Sequence, residues 1–332
     1  MALWAGLTLN TNETADIVNR LHSKKAELMV VKANPLLYAF FGKKDNVNNR
    51  RMRVGKTRKI TGKDIEVRLL GRLAAPAAIS DGSDELTTAT VNYSNDNWAS
   101  VTVALAHYGH VEGVPDSEYM RIRGDEAKTL SLLDDYYDKI MYGYEDVLST
   151  ALHSTTAPSR SAFGGWQVAV DSSTSYMGMT RSDAANADFR GIEEDGKTLS
   201  LSELQRVKNT ARLNRGNPTV GVAGNTEFTR IQQIAQSYTH AVYKGDTSEF
   251  GADHVNLAGI DWLLDGDTSS AVLGMFDPST WELVVNDEPF TNTGLVFDFT
   301  KKAGHIIHTT LWCQNYCVKP NANIKWTNVV TS

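Results

Sequence analysis

Apolar positions along this chain recur with a period near 3.6 in some stretches and a period of two in others, and the switches mark its elements. In residues 12–32, NETADIVNRLHSKKAELMVVK, the side chains Ile17, Leu21, Leu28 and Val31 fall at helical spacing, with Asn12 or Thr14 placed to cap the start. Asn34-Pro35 ends that helix, because the residue before a proline is driven out of the α region. The run LLYAFFG follows as a short apolar anchor, so the N-terminal stretch reads as an arm rather than a domain. From Lys63 the period becomes two. Ile65, Val67 and Leu69 alternate with Glu66 and Arg68, and in WASVTVALAHY Val101, Val103 and Leu105 alternate with Thr102 and Ala104. The stretch between them is too polar and too rich in small residues for a helix. Residues 50–111 therefore predict one long β-hairpin with a wide tip. Two strands alone are marginal in water, so a hairpin of this length needs a surface to lean on.

The longest helical pattern comes next, in GDEAKTLSLLDDYYDKIMYGYEDVLSTALH. Leu130, Leu133, Tyr137, Ile140, Tyr144, Val147 and Ala151 form its apolar stripe, Asp125 or Ser117 stands near its start, and Asp134, Asp135, Asp138, Glu145 and Asp146 form an acidic face. At 1.5 Å per residue such a helix spans roughly 40 Å. Residues 154–197 are rich in Ser, Gly, Ala and Asp and predict a long connection, ordered by Trp166 and Phe189. SLSELQRVKNTARL, with Leu201, Leu204, Val207 and Ala211 on one face, and NTEFTRIQQIAQSY, capped by Asn225, predict two helices flanking a buried strand PTVGVAG. LAGIDWLLD, SAVLGMFDP and TWELVVND predict three more strands, and the chain closes on the strand-rich segments GLVFDFTKK, GHIIHTTLWCQNYCVKP and ANIKWTNVVT. Helices and strands are mixed but not strictly alternating, which is an α+β pattern.

Composition adds little until charge is located. The 332 residues are 41% hydrophobic and 22% charged, ordinary for a globular protein with a substantial core. No apolar run is long enough to span a membrane, and the start lacks the basic and apolar regions of a secretory signal. Cys313 and Cys317 sit four residues apart on one predicted strand, about 13 Å. That is too far for a disulfide, and free thiols fit a reducing compartment. The net charge is −6, yet residues 43–72 hold eleven Lys or Arg and three Asp or Glu, while residues 73–332 carry −15. The cations Arg50, Arg51, Arg53, Lys56, Arg58, Lys59, Lys63, Arg68 and Arg72 thus form a basic ribbon on an acidic body. An acidic body repels nucleic-acid phosphates. A second copy of the same chain is the better partner, with the helix acids as landing points; a nucleic-acid-binding role for 50–72 is the rival from a different class.

Candidate chemistry is sparse. VGVAGNTEF resembles a strand–glycine–helix phosphate cradle but lacks the lysine and hydroxyl of a P-loop and the glycine spacing of a dinucleotide site. His107 and His110, with Glu112 nearby, fall on opposite faces of a strand and cannot converge on one ion. The two thiols are too far apart to share a metal, and Asp134-Asp135 suits a solvated helix better than a glycosidase pair. No catalytic motif, cofactor site or metal site is predicted.

The order of these elements resembles the major capsid proteins of tailed bacteriophages, with the Hong Kong 97 fold. The arm helix, GKDIEVRLLGR and WASVTVALAHYGHVEG, the acidic helix, LSLSELQRVKNTARLNRGNPTVGVAGNTEFTRIQQ, the run AVLGMFDPSTWELVV and the closing LWCQNYCVKPNANIKWTNVVT appear in the family's order. The resemblance implies an N-terminal arm over 1–49, an extended hairpin (E-loop) over 50–111, and a peripheral domain with a spine helix over 112–197. It further implies an α/β axial domain over 198–290 and peripheral strands over 291–332. It implies hexamers and pentamers tiling into an icosahedral shell around double-stranded DNA, without sequence-specific contact, in a virion assembled in the host cytoplasm. The basic ribbon of one subunit would then lie over the acids of the next. A separate scaffold, a portal and decoration proteins are implied partners, with no membrane; no covalent cross-link is expected. A nanocompartment shell of the encapsulin type, which shares the fold, is the alternative.

Overall fold

The structure, a computed structural model, describes residues 35–41, 56–70, 98–115, 117–118, 126–237, 254–297 and 305–331. The predicted helix over 12–32, the hairpin tip, Arg50, Arg51, Arg53, Arg72 and Asp125 lie outside these residues. The described residues are a mixture of helices and strands, the strands forming three sheets.

The first sheet has four strands in the order β1 (Lys56–Ile60), β10 (Trp281–Phe297), β11 (His305–Cys317) and β4 (Ala106–Val114). β1 runs parallel to β10, with Lys56 opposite Glu282, and the other neighbours are antiparallel. TWELVVND and GLVF, expected as separate strands, form one strand of 17 residues that shifts register twice. The first shift, between Val285 and Phe290, spans Pro289, whose missing N–H cannot serve a ladder. Free Cys313 and Cys317 are buried on β11, and burial pushes both thiols up to about 12, so they stay protonated and unreactive.

The second sheet has six strands in the order β5 (Ile192–Asp195), β12 (Ile324–Thr327), β9 (Leu273–Phe276), β6 (Val220–Ala223), β8 (Ile260–Leu264) and β7 (His254–Leu257). LAGIDWLLD was expected to be one strand. Its IDWLL part is β8, whereas its first residues close the β7–β8 hairpin, with Ala258 and Gly259 both at positive φ (59° and 68°) and the Lys208 ammonium donating to both their carbonyls at 2.7 and 2.8 Å. Helix α4 (Leu201–Leu213) packs against β12 through Leu204, Val207 and Ala211, and its cap Ser200 accepts from the Glu203 N–H. Helix α5 (Asn225–Ser237) packs against β6, β7 and β8 through Phe228, Ile231 and Ile234. Asn225 is its first residue rather than its cap; the Phe228 N–H donates to the Gly224 carbonyl. The glycines of VGVAG have packing roles: a Cβ on Gly221 would lie 2.5 Å from the Trp262 ring.

The third sheet is the hairpin stem alone, β2 (Asp64–Leu70) antiparallel to β3 (Trp98–Ala104). The hairpin expected over 50–111 is therefore shorter at both ends, because Lys56–Ile60 and Ala106–Val114 find better partners in the four-stranded sheet. Sheet membership likewise departs from the expected segments. Ile192–Asp195 and Ile324–Thr327 pair within the six-stranded sheet, and β10 of the four-stranded sheet begins at Trp281.

Helix α1 (Pro35–Phe41) and helix α2 (Glu126–Leu152) tie these sheets together. α1 is the apolar anchor, with Pro35 at its first turn, where a missing N–H costs nothing. It touches β10 of one sheet and β8 of the other, and Phe40 stacks on Trp281 at 4.6 Å and meets Phe276 edge-on at 5.1 Å. α2 buries Ile140, Tyr144, Leu148 and Leu152, and the Tyr144 hydroxyl donates to the Thr309 carbonyl on β11 at 2.9 Å. The expected stripe thus turns by about one residue after Tyr144: Val147 is exposed, and Leu148 takes its place. The connection over 154–197 is folded onto this core, with Trp166 and Phe189 buried as expected and a short helix α3 at Trp166–Ala169. Arg181 is buried there as well, donating to the carbonyls of Thr174, Ala169 and Val168 beneath the Tyr176 ring.

Two of the three chain crossings between the large sheets meet at Asn323. The turn Asp277–Thr280 leads from β9 into β10, and Lys319–Asn323 leads from β11 into β12. The fully buried Asn323 side chain accepts from the Asp277 N–H (2.9 Å) and the Trp281 indole (3.1 Å), and donates to the Thr280 hydroxyl and the Lys319 carbonyl (both 3.0 Å). Asn323→Leu strips partners from these buried groups and is expected to cost about 2–4 kcal/mol. Urea unfolding of the unassembled protein measures this; a loss below about 1 kcal/mol would contradict the role given to Asn323.

Candidate functional site

The candidate surfaces are the basic ribbon and the acidic face of α2. Alternation in β2 and β3 turns Ile65, Val67, Leu69, Val101 and Val103 inward, where all five join the chain's own core. Leu36, Leu37 and Phe40 of the LLYAFF anchor are buried within the same chain too, so neither segment offers this apolar area to a neighbour. Charge is left on the outside. Arg58, Lys59, Lys63 and Arg68 are exposed. Arg58 lies beside the Tyr316–Glu282 hydrogen bond, and the Lys63 ammonium sits 5.9 Å from the Trp312 ring. Lys56 is in β1, and its side chain lies outside the described residues.

On α2, Asp135 and Asp146 are exposed, and the side chains of Asp134 and Asp138 lie outside the described residues. Glu145 departs from the expected solvated face. Only 5% of it is exposed, because the same rotation of the stripe that buries Leu148 carries Glu145 inward, and burial pushes its carboxyl up to about 7. Among the described residues no ion pair joins Arg58, Lys59, Lys63 or Arg68 to Asp135 or Asp146. Exposed Tyr142 and Val147 flank the acids on α2 and supply a small apolar surface beside them.

The other candidates resolve into structural roles. His107 stacks on Trp312 at 3.9 Å, whereas His110 bonds Glu112 at 3.2 Å on the other face of β4, where Lys139 also pairs with Glu112. A group that the sequence reading missed lies beside Glu145: His153, Asp265 and Asp267 place their ligand atoms within 4.8 Å of one another. The acids flank Gly266 in a turn, the one local signal for them; His153 lies more than a hundred residues away in sequence.

No family model matches the sequence, and no curated protein sequence matches it. Solved structures do match. A chain of the cyanophage A-1(L) capsid asymmetric unit superposes with a TM-score of 0.56 at 10% identity, covering 82% of this chain and 90% of its own. A chain of the satellite phage P4 procapsid gives 0.55 at 7% identity, covering 93% and 91%. A chain of the SrpI encapsulin complex from Synechococcus elongatus gives 0.53 at 10% identity, covering 83% and 86%. The chain has the fold of capsid-shell proteins.

Glu145 generates a pH test. The folded carboxyl holds its proton up to about pH 7 while the unfolded chain releases it near pH 4.3, so this group lowers stability as pH rises through that interval. Glu145→Gln is expected to stabilise the unassembled protein by about 1–3 kcal/mol at pH 8 and by almost nothing at pH 4. Denaturant melts at the two pH values check this, and an equal effect at both would refute it.

Proposed function

We propose that the chain is the major shell subunit of a tailed-phage head with the Hong Kong 97 fold, assembling through hexamers and pentamers around packaged double-stranded DNA. The observation that carries this reading is a fold shared with phage capsid chains over more than four fifths of the sequence. The charge layout supports it. In this reading the β2–β3 hairpin is the extended loop, α2 the spine helix, the six-stranded unit the axial domain and the four-stranded unit the peripheral domain. Arg58, Lys59, Lys63 and Arg68 of one subunit face Asp135 and Asp146 of the next, with Arg50, Arg51, Arg53, Lys56, Arg72, Asp134 and Asp138 extending the two surfaces. The contact is head to tail, so it closes into rings and then into a shell. The virion is its destination and the host cytoplasm its place of assembly; a scaffold, a portal and decoration proteins are its partners.

The encapsulin match favours a second reading, a nanocompartment shell around protein cargo. A portal vertex and DNA inside the particle distinguish the phage head. Each exposed ion pair contributes only about 0–1 kcal/mol, but every subunit repeats the set and charge complementarity fixes register. Reversing Arg58, Lys59 and Arg68 together to Glu is therefore expected to leave circular dichroism unchanged and to hold the protein as monomers. Sedimentation velocity reads the outcome, and a variant that assembles as the wild type does would sink the interface.

A further inference from the structure

We propose that His153, Asp265 and Asp267 form a binding site for a divalent cation of the zinc class, at the cleft between the end of α2 and the turn that follows β8. This stands independently of the shell reading.

The ring of His153 is oriented by its own helix. Its Nδ1 lies 3.0 Å from the Ser149 carbonyl, which can only accept, so Nδ1 carries a hydrogen; in the neutral ring Nε2 then keeps its lone pair. Nε2 has no hydrogen-bond partner and faces Asp265 Oδ2, which has none either. The two atoms are 3.4 Å apart on side chains only 2% and 3% exposed. Two acceptors facing each other out of water repel, so something positive belongs between them. A shared proton would draw them to about 2.7–2.9 Å, the usual charge-assisted distance. A zinc ion with bonds of about 2.0–2.2 Å sets tetrahedral ligands about 3.3–3.5 Å apart, which is the separation observed.

The third ligand and the supporting contacts fit the same ion. Asp265 Oδ1 accepts from the Asp267 N–H at 3.0 Å, which aims Oδ2 at the histidine. Asp267 accepts from the Ser149 hydroxyl through one carboxylate oxygen, and its ligand atom lies within 4.8 Å of the other two. A ligating histidine that donates its second N–H to a carbonyl, beside carboxylates that are themselves hydrogen-bonded, is the outer-shell arrangement that metal sites use. One imidazole with two carboxylates suits zinc and its first-row neighbours better than magnesium or calcium, which prefer oxygen alone. Asp265 and Asp267 border a cleft of about 310 Å³ that Glu145 and Asp146 also line, and among the described residues no lysine or arginine lines it. Its open side leaves room for a water as fourth ligand. Because His153 follows α2 and the two acids follow β8, an ion there would tie the long helix to the six-stranded sheet.

The full-length protein, freed of metal with a chelator and titrated with zinc chloride alone, tests this. Calorimetry is expected to give one zinc per chain, with an upward shift in the thermal midpoint. Cobalt(II) in its place is expected to show the visible absorption of a four-coordinate site. Asp267→Asn, at an exposed position, and Asp265→Asn are each expected to weaken zinc binding at least tenfold. Asp135→Asn, on the exposed face of α2, is expected to leave it unchanged. Absence of stoichiometric zinc in the wild type overturns the site, as does zinc bound equally well by all three variants. Nitrogen NMR showing both His153 nitrogens protonated at neutral pH in the presence of zinc would also overturn it, leaving a buried ion pair.

Discussion

The architecture depends on the polar knot at Asn323. Two of the three crossings between the four-stranded and six-stranded sheets converge on that one amide, which uses its acceptor and both donors on groups of four residues in and beside the two turns. A buried amide satisfied on every side is worth little more than water would give, but leaving its partners bare is costly, and that asymmetry fixes the geometry. Phe40, Phe276 and Trp281 pack in mutual contact beside it, so the α1 anchor wedges the same junction from the apolar side. The two sheets can then hold a charged ribbon and an acidic helix at a fixed relative orientation, which repeated head-to-tail contacts require.

What the subunit keeps inside determines what it offers outside. The inward face of the hairpin stem, Leu36, Leu37 and Phe40 of the anchor, and the stripe Ile140, Tyr144, Leu148 and Leu152 of α2 are consumed by the chain's own core. Cations on the outer face of β1 and β2 and acids on α2 remain, with a few exposed apolar side chains such as Tyr142 and Val147. Interfaces of that kind are individually weak and sensitive to salt. Such weakness suits a closed assembly, in which misplaced copies must dissociate before the shell closes.

Much of this was legible in the sequence because the apolar period carries it. Ile65, Val67 and Leu69 announce a half-buried strand, Leu204, Val207 and Ala211 a helix face, and Cys313 and Cys317 an unpaired couple. Other features depend on contacts that a linear pattern does not encode. Lys56–Ile60 joins a parallel partner more than two hundred residues away, Ala258-Gly259 makes a hairpin turn with alanine where asparagine, aspartate or glycine is usual, and Ile324–Thr327 crosses into the six-stranded sheet. The acidic face of α2 was read from spacing alone, and a modest rotation of the helix was enough to bury Glu145. His153, Asp265 and Asp267 are invisible to spacing for the same reason, since only the folded chain brings the end of a helix to the turn after β8.

The central claim is that each hairpin bears on a neighbouring copy. Cryo-electron microscopy of the particles formed by the purified protein tests it most directly. The account predicts closed shells in which β2 and β3 of one subunit cross α2 of the next, with Arg58, Lys59 and Arg68 within ion-pair distance of Asp135 or Asp146. A protein that stays monomeric at high concentration, or a shell in which that basic face meets only its own subunit, would contradict it.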